Sequence, residues 1–196
     1  MTLLKLPAAV AFIGCLCALW AKQPPSPVYI NPTLTQFDSF PDISGIHTKY
    51  AVDTVLDPPG MGDSCILGYT RTGRKAKAPV ICKPSPAIVI HRSLTGLLEN
   101  KGLLATDSAS AGYIIGIYLR EFELKETTKF MRQDMTARIK FEIRFNNTSD
   151  PSSNKRFIFE TENSKGTFDA TKKAESIARG AIEAALVEIF KTMKTM

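Results

Sequence analysis

The chain has 196 residues, of which 44% are hydrophobic and 22% charged, so it can bury a proper core and is not an intrinsically disordered or fibrous sequence. Its formal charge of +6 serves solubility and favours anionic surfaces such as phospholipid, lipopolysaccharide or peptidoglycan. Beyond the first segment no apolar run approaches the ~20 residues of a bilayer-spanning helix.

Lys5 precedes a short apolar run, Leu6 to Gly14, which leads into Phe12-Ile13-Gly14-Cys15. A small residue directly before a cysteine, at the end of an export-type apolar segment, is the pattern of a bacterial lipoprotein signal. The expectation is a signal peptide over 1–14, with Cys15 as the first mature residue and the bearer of the acyl chains. Ordinary cleavage after Ala21 and an uncleaved anchor are the competing readings. Residues 15–27 turn from apolar to proline-rich, and Pro24, Pro25 and Pro27 favour extended geometry, so the acylated cysteine is followed by a semi-stiff tether. Residues 28–196 are expected to form a single α+β domain.

Within that domain Val28 to Ile30 reads as a short strand and 31–45 as loop, broken by Pro32, Pro41 and Gly45. His47 to Leu56 alternates weakly and predicts a strand. After the Asp57-to-Asp63 turn, Cys65 to Tyr69 and Ala76 to Cys82 flank a basic tip, Arg71 to Lys75, in the shape of a hairpin. Ser85 as N-cap and Pro86 at the first position open a helix whose Ile90, Leu94, Leu97 and Leu98 recur at helical spacing until Gly102. Tyr113 to Leu124 is rich in β-branched and aromatic residues. Met135 to Phe145 alternates strictly: apolar at odd positions, Thr136, Arg138, Lys140, Glu142 and Arg144 at even ones. That is a strand with one face on a core and one in water. Arg156 to Thr161 returns, with a continuation towards Phe168 as the longer reading, to complete a meander. From about Ala170 to Met193 an alanine-rich stripe predicts a long helix, with Asp169 as N-cap. The fold class is α+β: an antiparallel sheet with two helices packed on one face. The final helix is read as cover for the sheet, a coiled coil being the other use of its stripe.

Few residues offer chemistry. The two histidines, His47 and His91, lie in no recognised motif, no close Cys/His cluster suits a metal, and Gly60-Met61-Gly62 lacks the context of a dinucleotide site. Glu121 and Glu123 share a strand face and read as solvated side chains. No catalytic set and no cofactor is expected, apart from the covalent lipid on Cys15. Cys65 and Cys82 can pair in an oxidising compartment, closing a loop of about 18 residues worth ~3 kcal/mol; two unpaired thiols are the alternative. Arg120, Arg138, Lys140 and Arg144 are expected to share a basic sheet face, either solvated or in contact with phosphate groups or an acidic partner. Nucleic acid is disfavoured, since no stacking aromatics alternate with those cations.

The signal with Cys15, Lys83-Pro84-Ser85 opening a helix that ends Leu97-Leu98-Glu99-Asn100-Lys101-Gly102, three strands and an alanine-rich final helix together resemble the small YajG-type lipoproteins of Gram-negative bacteria. More loosely the chain is similar to LptE-like and ABC-transport auxiliary lipoproteins. The 57–83 hairpin with its two cysteines is a departure. The resemblance implies location and fold rather than catalysis: Leu16 after the acylated cysteine implies sorting to the outer membrane, facing the periplasm. The function expected is a non-enzymatic accessory or scaffold in envelope assembly or transport, with other envelope proteins or an anionic glycolipid as partners. A soluble periplasmic ligand-binding domain and a lipopolysaccharide-handling protein are the alternatives.

Overall fold

Strict alternation puts every odd-numbered side chain from Met135 to Phe145 on one side of its strand, and all six are at most 1% exposed. The computed structural model in which this is seen describes residues 25–34, 40, 45–59, 61, 65–72, 76–129, 132–167 and 170–196. Its strands are β1 (Val28–Ile30), β2 (Tyr50–Leu56), β3 (Cys65–Thr72), β4 (Ala76–Cys82), β5 (Tyr113–Lys129), β6 (Arg132–Asn147) and β7 (Lys155–Thr167). Its helices are α1 (Pro86–Asn100) and α2 (Ala170–Lys194), with one 3-10 turn at Pro151–Ser153. The expected signal peptide, Cys15, most of the tether, the tip at 73–75 and Asp169 lie outside the described residues.

The fold class is as expected, α+β with two helices on a seven-stranded sheet. The β5–β6–β7 meander is antiparallel, as is the β3–β4 hairpin. Three other pairings are parallel: β1 with β4, β2 with β5, and β3 with β5 at Gly68 and Leu124. β5 is long enough to take two neighbours on one edge. β2 lies along Tyr113–Tyr118, and β3 joins near Leu124. The junction requires glycine, because a Cβ on Gly68 would stand 1.9 Å from the Leu124 carbonyl oxygen.

α2 covers the core face with Ala174, Ile177, Ala178, Ala181, Ile182, Ala185, Leu186, Ile189 and Phe190, all at most 2% exposed. The large aliphatic and aromatic members contribute about 1.5–3 kcal/mol each by leaving water, and together they rival the net stability of a typical domain. The small ones let α2 lie close to the sheet. Asn163 of β7 donates to the Ile177 carbonyl (3.0 Å), and Gly180 leaves the room it needs. α1 packs on β2 through Val89, Ile90, Leu94, Leu97 and Leu98 in the same core. Ser85 holds the N-cap position and Pro86 the first helical one, as expected, but the Ser85 side chain makes no capping bond. The free Ala87 N–H donates instead to Asp57 Oδ1 at 2.8 Å, a carboxylate in place at the positive end of the helix. Gly102 ends the helix with φ of +65°, as its position suggests.

Gly68→Ala is expected to lower stability by about 1–3 kcal/mol, because a backbone oxygen, not a movable side chain, fills the space. Urea denaturation checks this. Unchanged stability would mean that β3 and β5 are not joined there.

Candidate contact site on the open sheet face

The even-numbered side chains of β6 point away from the helices, and the register of β5 and β7 sets their neighbours. Gly116, Arg144 and Arg156 form one row; Tyr118, Glu142 and Ile158 the next; Glu121, Lys140 and Glu160 a third; Glu123, Arg138 and Glu162 a fourth. Between Leu119 and Glu121 the register slips. This slip leaves Arg120 as the extra residue of β5, and such irregularities re-aim side chains. The Arg120 Nη2 reaches Glu142 Oε2 at 2.5 Å.

Glu142 is the centre of the face. Its side chain is wholly shielded from solvent, although it lies on the side opposite α1 and α2. Arg120, Arg144 and Arg156 fold over it. Arg156 Nη2 donates to Oε2 at 2.7 Å and Arg144 Nε to Oε1 at 2.7 Å. The Arg144 guanidinium also lies 4.4 Å from the centre of the Tyr118 ring, in cation–π contact. Hydrogen bonds from Arg120, Arg156 and Arg144, in that order, hold the Glu142 carboxyl down at about 2. The three arginine side chains stay 52%, 42% and 58% exposed. Three guanidiniums against one carboxylate leave an excess of two positive charges, with donors still facing water.

The expected basic face therefore exists, but its charge is unevenly distributed. Arg120 and Arg144 belong to the cluster with excess charge. Arg138 is paired with Glu160 at 2.5 Å, and Lys140 lies 3.5 Å from both Glu121 and Glu160. These exposed pairs are balanced and contribute about 0–1 kcal/mol each. Glu121 is thus engaged with a lysine rather than with Glu123. Sequence reasoning passed over Glu142, Arg156 and Tyr118. The available signal was one acid set among three cations at alternate positions of a single strand.

Cys65 and Cys82 are opposite one another in the β3–β4 register, both buried, and both free thiols. Cys65 Sγ contacts Met61 Sδ at 3.1 Å, and Cys82 Sγ donates to the Pro84 carbonyl at 3.2 Å. Burial pushes the Cys65 thiol up to about 12 and the Cys82 thiol higher still, so neither is a ready nucleophile in the folded chain.

His91 borders a groove of about 520 Å³ between β2 and α1, together with Asp53, Leu56, Asp57, Ile88 and Arg92. Asp57 there is already committed to the α1 N-terminus. His47 lines a separate hollow beside Tyr50, Tyr113 and Met193. Among the described residues no helix is long and apolar enough to cross a membrane, and no group of three His, Cys, Asp or Glu could hold a metal ion.

No family model matches the chain, and no curated protein matches it either. Among solved structures, protein XCC0632 from Xanthomonas campestris, described under family DUF330, superimposes with a TM-score of 0.56 at 15% identity, over 83% of this chain and 91% of that one. A minor lipoprotein from Acinetobacter baumannii aligns with a TM-score of 0.44 at 8% identity, over 76% of this chain and 94% of that one. The likeness to XCC0632 is one of fold. It does not distinguish among the YajG-type, LptE-like and auxiliary lipoproteins that the sequence resembles.

Since the Glu142 carboxyl is held below the ordinary range in the folded chain, its contribution to stability is fully present above the unfolded carboxyl's titration. That contribution is lost as pH falls through about 2. Glu142→Gln, which leaves three arginines without their anion, is expected to melt well below the parent at neutral pH. The gap should close steadily as both are taken towards pH ~2. A gap that stayed constant with pH would show that the carboxylate charge is not what holds the cluster.

Proposed function

We propose that the chain is a non-enzymatic envelope lipoprotein, anchored through acylated Cys15 to the outer membrane and facing the periplasm. In this reading it serves as an accessory in envelope assembly or transport, and the arginine cluster over Glu142 is its contact point for an anionic group on a partner. The observation that carries the contact site is the excess of two positive charges on half-exposed guanidiniums, on the sheet face that no helix covers among the described residues. The lipobox-like Phe12-Ile13-Gly14-Cys15, the proline-rich tether and Leu16 after the cysteine support the anchor. A fold shared with XCC0632 is compatible with this reading and adds nothing on location.

The paired thiols belong to the same proposal. Opposite residues of an antiparallel pair have Cα atoms about 4.5–5.5 Å apart, within the reach of a disulfide. An exported chain meets thiol–disulfide oxidoreductases while it folds. Cys65 and Cys82 would then give up two protons and two electrons to the disulfide of such an oxidant, which is reduced to its dithiol. Their burial afterwards protects the bond.

Two measurements test this. Mass spectrometry of chain isolated from the envelope is expected to find an acylated N-terminal Cys15 and a domain lighter by the two thiol hydrogens of Cys65 and Cys82. An unmodified chain beginning at Lys22 would sink the anchor, and alkylation of both cysteines without prior reduction would sink the disulfide. For the contact site, the double change Arg120→Gln with Arg156→Gln leaves Arg144 to neutralise Glu142 and removes the charge excess. Recovery of partners from solubilised outer membranes should drop about tenfold, while Arg138→Gln leaves it unchanged. Equal loss from both variants would disprove a role specific to the cluster.

A further inference from the structure

β7 is the last strand of the sheet. β6 pairs with it from Lys155 to Thr167 without a register shift, and among the described residues no backbone bond leaves its other edge. Folded proteins blunt such an edge with a bulge, a proline, a short strand or charged side chains, and only the last is present here, flanking the apolar centre of the strand. This one is 13 residues long and regular, and its first half reads Lys155-Arg156-Phe157-Ile158-Phe159-Glu160-Thr161. Ile158 is 69% exposed on the open face. Phe157 and Phe159, stacked on each other at 6.1 Å on the core side, are only half-buried. An aliphatic side chain and two aromatic ones therefore meet water beside a row of unsatisfied backbone groups.

The pattern of β7 selects its own occupant. Two copies joined edge to edge by a two-fold axis perpendicular to the sheet keep both helix layers on one side, so even-numbered residues face even-numbered ones. With the axis at Ile158, Ile158 meets its own copy, each Arg156 meets a Glu160, and each Phe157 meets a Phe159. The neighbouring registers do worse. An axis at Phe157 sets Arg156 against Ile158, one at Phe159 sets Ile158 against Glu160, and one at Glu160 sets two carboxylates face to face. Cross-strand pairs of like polarity and opposite charge stabilise, while like charges directly opposite destabilise. Of these registers only the one centred on Ile158 matches polarity and charge throughout Arg156–Glu160, and matched side chains are how strand pairing gains specificity. The contact is also self-complementary, as a two-fold interface must be.

We infer that the β7 edge is a homodimer interface, in which two copies of this chain add their strands antiparallel about Ile158 and continue the sheet from one copy into the other. Arg156, already on Glu142, then gains the partner copy's Glu160 as a second anion. The arginine clusters of the two copies come to lie on one continuous face.

The test uses the full chain in detergent. Sedimentation equilibrium is expected to show a dimer, and Ile158→Lys, which sets two ammonium groups against each other at an exposed position, should weaken it about tenfold or more with melting unchanged. Ile158→Cys, oxidised with copper phenanthroline, should give a peptide linked 158 to 158. Glu162→Cys should not link to itself, because the two copies of that position would lie roughly 25 Å apart along the paired strands. A monomer at every concentration, a dimer indifferent to Ile158→Lys, or equal linking at both cysteine positions would each overturn the proposal.

Discussion

Burial of the odd-numbered side chains of β6 under α2 is the constraint on which the rest of the molecule depends. Once Ile139, Phe141, Ile143 and Phe145 are committed to the core, the even-numbered residues must face the opposite way, with no choice left to them. Among the described residues that side has no helices. The strand therefore carries charges there, and the neighbouring strands answer with opposite ones. The core and the candidate contact site are two consequences of one alternating stretch, and a slip of one residue would exchange them.

The open face shows how differently similar ion pairs can behave. Arg138, Lys140, Glu121 and Glu160 form a balanced lattice in which solvent competes with every contact. Glu142 is instead withdrawn from water and must be satisfied by its arginines, because a buried carboxylate without partners is costly. Three donors exceed what one carboxylate neutralises. The surplus is what singles out this part of the face as the candidate contact site, whereas the remainder is balanced in charge. The depressed titration of Glu142 has the same cause as the excess charge: guanidinium groups gathered at hydrogen-bond distance.

Much of the fold could be read from local pattern. The limits of α1 and α2 and the cysteine-flanked hairpin follow from period and turn residues to within a few residues, and the meander follows in order, although β5 and β7 run five and six residues past Leu124 and Thr161. Two features did not follow. The parallel contacts of β1, β2 and β3 depend on strands far apart in the chain, and no local pattern states which edge a short strand will join. Ser85 holds the N-cap position of α1, but the carboxylate that accepts from its N-terminus comes from Asp57, 30 residues away from Ala87, which no local reading supplies.

The sequence by itself determined which residues are apolar at which period, and hence the strands, the helices, the class of fold and the polarity of each face. It also supplied the cysteines and the cations from which a site could be built. Only the tertiary structure decided which cations are spent and which are left over. Arg156 comes from β7 and Arg120 from a register slip in β5, and both reach Glu142 on β6 only when three strands are aligned. Periodicity describes one element at a time, whereas charge balance at a point in space depends on every element that arrives there.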